Sequence, residues 1–489
     1  MSPIDVAVIV VYILGCTALG GWIGGKGEQG LKGYFLAERD MPIWAVMISI
    51  VATETSTVTF LSVPGTAYKG NFEFLQLPIG YIFGRMIVSA VLLPSYFKGQ
   101  IETAYQVLGN RFGQATRRTA SILFLFTRNL GDGLRLFLAA TVLSIITRWD
   151  ILYAIIAVEV ATIIYTYIGG VKAVIWADVL QFTVYIIGAL IALYILIHKL
   201  PGGLGQLMDT AKAADKFKTF DFSFTLTKPY TFWAGLIGGM VLNTATHGAD
   251  QMMVQRYLAA RSQKQAAGAL IASGFVVLAQ FALFLFIGVA LYVFFGQFPP
   301  SEPVTRPDRA FSQFIVDQLP TGILGLVIAA IFASAMGVLS GSLNASASTL
   351  INDLYRPITG DTDEVRLVRL SKLATIGFGV VQASVAWWAT GLEASVVDNA
   401  LAIAGFTTGI LLGLFILGNV TKDVGQGAAL TGLAAGVAAV MYAKFGTSLA
   451  WPWYALVGST TTFIVGLAAG RIFPTVRPIP AAESLQPTS

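Results

Sequence analysis

The chain has 489 residues, of which 55% are hydrophobic and 12% are charged, and its mean hydropathy is +0.73. Soluble proteins carry about 25% charged residues, so this chain has too little charge to cover the surfaces of soluble domains. Its net charge of +5 is spread along the sequence, without the basic runs that favour a nucleic-acid partner. With a single cysteine, Cys16, and two histidines, His198 and His247, neither an intrachain disulfide nor a His-rich zinc site is expected. The composition predicts an all-α protein that crosses the membrane many times.

Apolar stretches long enough to cross a bilayer, which takes about 20 mainly apolar residues, recur about thirteen times. They start near residues 3, 42, 73, 116, 150, 172, 229, 264, 310, 367, 395, 425 and 450. The first stretch follows Met-Ser-Pro-Ile-Asp, which has no Lys or Arg, so we expect a membrane helix there rather than a signal peptide. Lys and Arg favour one set of alternate loops, which places the N-terminus outside and the C-terminus in the cytoplasm. The expected location is the inner or plasma membrane.

Two of these stretches contain residues that interrupt a helix. The second has a β-branched, hydroxyl-rich middle followed by Pro64, and the seventh passes through Gly238-Gly239 and the polar stretch 243–248. If spans two to six and seven to eleven are two repeats, both broken helices open a repeat. Such a pattern is typical of inverted-repeat transporters, whose binding site lies near the midplane of the bilayer. The alternative is that these polar residues pack against neighbouring helices.

This 5+5 arrangement divides the chain into six segments. They are a first transmembrane helix with a cytoplasmic loop (1–41), a first five-helix repeat (42–199), an extracellular or periplasmic loop (200–228), a second five-helix repeat (229–421), two further C-terminal transmembrane helices (422–475) and a cytoplasmic tail (476–489).

Four motifs, in this order and spacing, resemble those of the sodium:solute symporter family. They are ATETSTVTFLSVPGTAY (52–68), GGVKAVIWADVLQ (169–181), DQMMVQRYLAAR (250–261) and AAIFASAMGVLSGSLN (329–344), the last followed by DLY at 353–355. Members of this family carry sugars, sialic acid, proline, vitamins or iodide on a core of the leucine-transporter type. The resemblance covers nearly the whole chain and implies a symporter that works by alternating access, not an enzyme.

The resemblance also implies where sodium would bind. The main sodium site of the family uses backbone carbonyls, which here would be those of Ala52, Thr55 and Ser334. Its two hydroxyl ligands fall at Gly337 and Val338, which have no side-chain oxygen, although sodium prefers oxygen ligands. Sodium binding at this site is therefore expected to be weakened.

A second, less widespread ion site of the family maps to Asp178 and Ser340, with glycines at its other two positions, Gly337 and Gly341. Three alternatives follow for coupling. Sodium binds weakly through carbonyls and water; protons replace it through Glu54 or Asp178, since a carboxylate is costly to bury in charged form; or transport is uncoupled. No cofactor is expected other than the coupling ion.

The candidate substrate-binding residues lie on the two broken helices and on the spans beside them. They are Glu54, Ser56, Thr59, Phe74, Gln76, Arg85, Arg135, Asn243 and His247. Hydroxyls at a helix break suit a sugar, whereas an intramembrane arginine suits a carboxylate, which it binds through two hydrogen bonds. The alternative for Arg135 is an ion-pair ladder with Arg128 and Asp132, which share its helix face. We expect a monomer that imports a small polar solute: a sugar, a sugar acid or a monocarboxylate.

Other classes of protein have less support from the sequence. No channel filter or nucleophile–base pair is visible, and Gly24-Gly25-Lys26-Gly27 lacks the spacing of a P-loop. A solute sensor on the same fold is the remaining alternative, because the two hydroxyl ligands are missing. Glu159 stands alone in its span, and Arg256 is expected to form an ion pair near the cytoplasmic end.

Overall fold

The computed structural model describes residues 2–24, 30–98, 101–301, 303–304, 306–391 and 396–472. Within these ranges the protein is helical, and its β structure is limited to one isolated bridge between Met41 and Ala260. The proposed cytoplasmic tail, 476–489, and Lys26 of the glycine-rich stretch lie outside the described residues.

The described residues of the first half of the chain form ten α-helices. They are α1 (Pro3–Gly24), α2 (Gly30–Leu36), α3 (Ile43–Glu54), α4 (Thr57–Lys69), α5 (Gln76–Ile87), α6 (Leu93–Lys98), α7 (Ala104–Phe112), α8 (Gln114–Thr147), α9 (Ile151–Lys199) and α10 (Gly203–Ala213). Three short segments join them: 3-10 turns at Ala37–Arg39 and Glu73–Leu75, and a π-helical segment at Val88–Leu92.

The described part of the second half also forms ten α-helices. They are α11 (Met240–Ala249), α12 (Gln251–Leu258), α13 (Gln263–Gln297), α14 (Ala310–Gln318), α15 (Ile323–Thr349), α16 (Arg356–Thr359), α17 (Glu364–Trp388), α18 (Val396–Val420), α19 (Gln426–Gly446) and α20 (Tyr454–Ala469). The joining segments are π-helical at Ala234–Gly239 and Leu350–Tyr355, and 3-10 at Pro307–Arg309, Ala389–Gly391 and Trp451–Trp453.

The prediction of a helical protein with several membrane spans is confirmed. Among the described residues, seven helices are long and apolar enough to cross a membrane, and the bent pair α3–α4 makes an eighth. α8 is also long, at 34 residues, but it carries the charged residues Arg128, Asp132 and Arg135 in its middle.

The first broken helix is interrupted before the proline rather than at it. α3 ends at Glu54 and α4 begins at Thr57, and their axes differ by 60°. Thr55 between them has φ −87° and ψ 87°, outside the helical region. Pro64 lies buried inside α4. The interruption therefore lies within the β-branched, hydroxyl-rich stretch and not at Pro64.

The second broken helix differs from the prediction. The polar stretch 243–248 is helical within α11, so the expected interruption there is wrong. The break lies at Asp250, whose backbone is extended and whose side chain accepts a hydrogen bond of 2.9 Å from the amide of Met252. Asp250 thus caps α12, because a side-chain oxygen satisfies a free amide of the first helical turn. Gly238 and Gly239 lie in the π-helical segment that leads into α11.

The structure differs from the prediction at the start of the ninth span and at the boundary between the fifth and sixth spans. The ninth span begins at Ile323 and not near residue 310, because the short α14 ends at Gln318 and is followed by Pro320 and by Gly322, whose φ is +85°. A positive φ of this kind favours glycine. The fifth and sixth spans, in contrast, run on as α9 with a kink at Gly170, whose φ of 55° and ψ of −160° are not helical.

α15 lies at the centre of the bundle. Nearly all its residues are buried, and it packs against α9, α8, α17 and α1 and contacts both halves of the first broken helix. Its many Gly, Ala and Ser residues allow neighbouring backbones to approach closely, as small residues do in membrane helices. The first broken helix is therefore held between α15 and α13.

Gly288 of α13 provides a test of this close packing. A Cβ atom at position 288 would overlap the carbonyl oxygen of Pro64 in α4, so Gly288→Ala is expected to destabilise the protein by about 1–3 kcal/mol. The matched control is Gly296→Ala on the same helix, where a Cβ atom meets nothing within 4 Å. The melting temperature in detergent should fall for the first variant and stay or rise for the second. Equal melting temperatures would contradict the close contact.

Candidate functional site

A cavity of about 160 Å³ lies beside the break between α3 and α4. Six of the predicted substrate residues line it: Glu54, Ser56, Thr59, Phe74, Arg135 and Asn243. Several other polar and aromatic residues of its wall were not predicted from the sequence: Thr53, Ser62, Thr66, Tyr81, Tyr230 and Phe281. The wall thus combines hydroxyls, arginines and aromatic rings.

A wider vestibule of about 770 Å³ adjoins this cavity. Ser62, Thr66, Phe74 and Tyr230 line both spaces. The vestibule is otherwise lined by the end of α4, by residues 69–73 and by residues 306–308. The loop residue Lys216 donates hydrogen bonds of 2.8 Å to the carbonyls of Tyr68 and Gly70 at the end of α4. Phe74 and Tyr230 stand between the two spaces, with ring centroids 5.2 Å apart.

Glu54 is the centre of a buried charge cluster at the broken helix. As the last residue of α3 it places a carboxylate at the negative end of the helix dipole, an unfavourable position unless cations lie nearby. Its carboxylate pairs with Nη2 of Arg85 in α5 and with Nε2 of His247 in α11. Both partners are fully buried, and Glu54 keeps 15% of its side chain exposed towards the cavity.

Each of the two partners of Glu54 also contacts a hydroxyl group on another helix. Arg85 also contacts the hydroxyl of Ser273 in α13, and Nδ1 of His247 contacts the hydroxyl of Tyr257 in α12. Arg85 and His247 therefore lie behind Glu54 and do not line the cavity. Their predicted contact with substrate stays a prediction, whereas their contact with Glu54 positions its carboxylate.

A second charge cluster runs along α8. Arg128, Asp132 and Arg135 lie on one face, as their spacing predicts. Asp132 is fully buried and pairs with both arginines, and Arg128 also pairs with Asp250 at the break between α11 and α12. Both arginines nevertheless line the cavity. The two alternatives given for Arg135, an ion-pair ladder and a place in the cavity wall, are therefore compatible.

Gln76 lies at the start of α5 but does not line the cavity. Its Nε2 donates hydrogen bonds to the carbonyls of Glu73 (2.9 Å) and Tyr230 (3.3 Å). Its Oε1 accepts a hydrogen bond of 3.1 Å from the amide of Asp221. These contacts bind Gln76 to the backbone of the loop before α11, where it positions Tyr230.

The candidate sodium ligands lie around the first helix break. The carbonyl of Ala52 accepts a hydrogen bond of 3.2 Å from the amide of Thr55. The hydroxyl of Thr55 donates to the carbonyl of Val51 (2.7 Å) and accepts from Nε2 of Gln280 (2.8 Å). On the adjoining α15, Ser334 is buried and Val338 lines the cavity. Sodium, like the solute, would be transported by this protein rather than kept as a cofactor.

The other candidate ion residues lie deeper. Asp178 of α9 is fully buried and accepts a hydrogen bond of 2.5 Å from the hydroxyl of Ser49. Ser340 donates to the carbonyl of Gly337 at 3.2 Å within α15. Arg256, which was expected to form an ion pair near a membrane surface, is fully buried and pairs with Asp178.

Two residues of α13 that were not predicted from the sequence are Gln280 and Ser273, which contact Thr55 and Arg85 respectively. Both stand as isolated polar residues in an otherwise apolar span, which is a signal of function or of polar packing. Glu159, which had no proposed partner, is buried, and neither of its carboxylate oxygens forms a hydrogen bond with another described residue.

A cavity between two interrupted helices, walled by paired charges and hydroxyls, is typical of solute transporters of the broken-helix class. Comparison with known proteins assigns the family. Residues 34–436 match the sodium:solute symporter family, and the chain belongs to it.

Individual relatives agree with this assignment. The chain is 30% identical to the sodium/sialic acid symporter SiaT of Proteus mirabilis over 477 residues, covering 96% of this chain and 95% of the relative. It is 29% identical to the human sodium-coupled monocarboxylate transporter 1, covering 87% and 70% of the two chains. A solved structure of a Na⁺-coupled sialic acid symporter, substrate-bound and outward-open, is 28% identical with a TM-score of 0.90 and covers 98% of this chain and 100% of that one. These relatives and this fold are those of transporters rather than enzymes.

Proposed function

We propose that this protein imports a small organic anion, a sugar acid of the sialic acid type, together with sodium. The observation that supports this substrate is that two arginines, Arg128 and Arg135, line the same cavity as the hydroxyls of Ser56 and Thr59. A guanidinium binds a carboxylate through two parallel hydrogen bonds, and the hydroxyls suit the remaining oxygens of a sugar. Relatives named for sialic acid and for monocarboxylates both carry substrates with a carboxylate.

The charges around the cavity support coupling to a cation. The cations Arg85, Arg128 and Arg135 equal in number the carboxylates of Glu54, Asp132 and Asp250. With His247 neutral, these six charges sum to zero. An anionic solute alone would add an uncompensated charge in a low-dielectric region, which is costly. A sodium ion bound at the same time restores neutrality, so solute and ion are expected to bind together.

The sodium ion is proposed to bind at the first helix break, to the carbonyls of Ala52, Thr55 and Ser334. At this break Thr55 lies outside the helical region. An interrupted helix can supply carbonyl oxygens as ligands, and oxygen is the ligand that hard cations prefer. Gly337 and Val338 supply no oxygen at the remaining positions. Asp178 and Ser340 stay candidates for a second ion, against which stands the ion pair of Asp178 with Arg256.

The full architecture is part of this proposal. It comprises about thirteen spans, a 5+5 inverted repeat over 42–199 and 229–421, and two C-terminal helices within 422–475. The vestibule adjoins the loop 200–228, which the distribution of Lys and Arg places outside the cell, so solute enters from that side. The protein acts as a monomer in the cell membrane, with the N-terminus outside and the C-terminus in the cytoplasm.

The proposal is tested with purified protein in liposomes loaded with a buffer free of solute. Uptake of labelled sialic acid is measured under an imposed sodium gradient, an imposed proton gradient, or neither, with sugar acids, monocarboxylates and neutral sugars as competitors. We expect uptake driven by sodium and competition by carboxylates. Uptake that follows the proton gradient alone would instead support proton coupling through Glu54, and binding without flux would support a sensor.

The sodium site is tested by adding a hydroxyl to it. Val338→Ser places an oxygen at the cavity wall, and we expect the sodium concentration for half-maximal uptake to fall about tenfold, which corresponds to about 1.4 kcal/mol. Val63→Ser, which adds a hydroxyl elsewhere on the same wall, is the control and should leave the sodium dependence unchanged. An unchanged sodium response in Val338→Ser would show that sodium does not bind beside Val338.

A further inference from the structure

Arg256 and Asp178 form a fully buried ion pair beside the solute cavity but outside its wall. Nη2 of Arg256 lies 3.4 Å from Oδ2 of Asp178, and both side chains are 0% exposed. Nη1 of Arg256 donates a hydrogen bond of 2.7 Å to the carbonyl of Met252 in its own helix, α12. Oδ1 of Asp178 has no hydrogen-bond partner among the described residues. The pair thus joins α12 to α9 at a point where neither charged side chain is exposed to solvent.

Two glycines of α15 make room for this arrangement. A Cβ atom on Gly341 would overlap Nη2 of Arg256 and lie 3.1 Å from its Cζ. A Cβ atom on Gly337 would lie 2.6 Å from Oε1 of Gln181 and 3.4 Å from Oδ1 of Asp178. Even an alanine at position 341 would therefore collide with the guanidinium. Arg256 and Gln181 thus occupy the space that side chains at positions 341 and 337 would fill.

Two further side-chain oxygen atoms, those of Ser49 and Gln181, lie near the carboxylate of Asp178. The hydroxyl of Ser49 donates to Oδ2, and Oε1 of Gln181 has no hydrogen-bond partner in the described structure. A buried carboxylate with free oxygens nearby requires a positive charge. The guanidinium already supplies that charge, and being planar and weakly hydrated it tolerates burial better than an ammonium group.

We propose that Arg256 is a permanently bound cation of the Asp178 pocket, held in the place of a transported ion. The pocket is then neutral at every stage of transport and takes up no sodium. One consequence of this inference rests on the proposed symport: at most one sodium ion, bound at the first helix break, accompanies each solute. It predicts that removal of the guanidinium turns the pocket into a cation site.

The test compares the stabilisation by sodium of four proteins in detergent: the wild type, Arg256→Gln, the double variant Arg256→Gln with Asp178→Asn, and Arg111→Gln. NaCl is exchanged for choline chloride at constant ionic strength, and the melting temperature is recorded. We expect sodium to raise the melting temperature of Arg256→Gln by at least about 2 °C more than that of the wild type, since a bound ion stabilises the folded state. This extra rise should vanish in the double variant.

Arg111→Gln is the matched control, because Arg111 donates hydrogen bonds to the carbonyls of Thr421 and Val424 rather than to a carboxylate. Its loss is expected to leave the sodium response as in the wild type. If Arg256→Gln does not fold, Gly341→Ser serves instead, because its side chain displaces the guanidinium and adds a hydroxyl beside Asp178. A sodium response identical to the wild type in the folded variant would overturn the inference.

The two proposals fail separately in this experiment. A wild type without any response to sodium would argue against sodium coupling at the helix break. The difference between Arg256→Gln and the double variant would still report on the Asp178 pocket.

Discussion

Glu54→Gln is expected to abolish sodium-driven uptake and to destabilise the protein by about 3–5 kcal/mol. The substitution preserves the shape of the side chain but leaves Arg85, which is fully buried, without its counter-charge. Removing one partner of a buried ion pair costs this much because the other charge stays uncompensated in a medium of low dielectric. The melting temperature in detergent and uptake into liposomes measure the two effects.

A double variant separates stability from transport. Glu54→Gln with Arg85→Met removes both charges, so most of the lost stability is expected to return while uptake stays absent, because the carboxylate of Glu54 is missing from the cavity wall. The matched control is Glu102→Gln, whose partner Arg356 keeps 36% of its side chain exposed; exposed pairs contribute about 0–1 kcal/mol. A melting temperature of Glu54→Gln close to that of the wild type would show that Glu54 and Arg85 are not paired.

Arg135→Gln is expected to raise the KM for an anionic solute about 100-fold, which corresponds to about 2.8 kcal/mol. Arg135 keeps 16% of its side chain exposed and lines the cavity, and its ion pair is with Asp132. A charged, bidentate hydrogen bond to a carboxylate is among the stronger polar contacts, and glutamine cannot reproduce it. Uptake of sialic acid at several concentrations, with a neutral sugar as competitor, measures the change.

Arg148→Gln provides the matched control for Arg135, because Arg148 follows the same helix but lies away from the cavity. Its KM is expected to match the wild type. A loss of the same size in both variants would point to a general effect of charge on α8. An unchanged KM in Arg135→Gln would leave Arg128 as the arginine that receives the carboxylate.

Much of the fold could be predicted from the sequence because membrane helices follow from local hydropathy. The first helix break could be located because Thr55 lies inside a run of β-branched and hydroxylated residues that extends to Thr59, which is a property of the chain itself. The break at Asp250 could not, since a single acid that caps a new helix looks the same in sequence as one that does not. Pro64 does not mark the break, because a proline is tolerated inside a membrane helix when neighbouring groups satisfy the backbone atoms that it leaves without partners.

The candidate site was partly predictable for a similar reason. Polar residues of the broken helices, such as Glu54 and Asn243, were identified because they interrupt apolar surroundings. Which of them face the cavity depends on contacts between helices far apart in sequence. The side chain of Gln76 forms hydrogen bonds with the backbone of residues 221 and 230, and Arg85 forms an ion pair with Glu54, so neither faces the cavity. Arg256 could not be assigned to Asp178 without knowing that Gly341 leaves space for it.

The contacts of Glu54 have a mechanical consequence. Through Arg85, His247 and Ser273 this carboxylate links α3, α5, α11 and α13, so these helices must rotate as one body or break buried charge contacts. α8 joins that body through Arg128 and Asp250 at the cavity wall. Because Arg128 and Asp250 both line the cavity, an anionic solute that reaches Arg128 would compete with Asp250 for the same guanidinium.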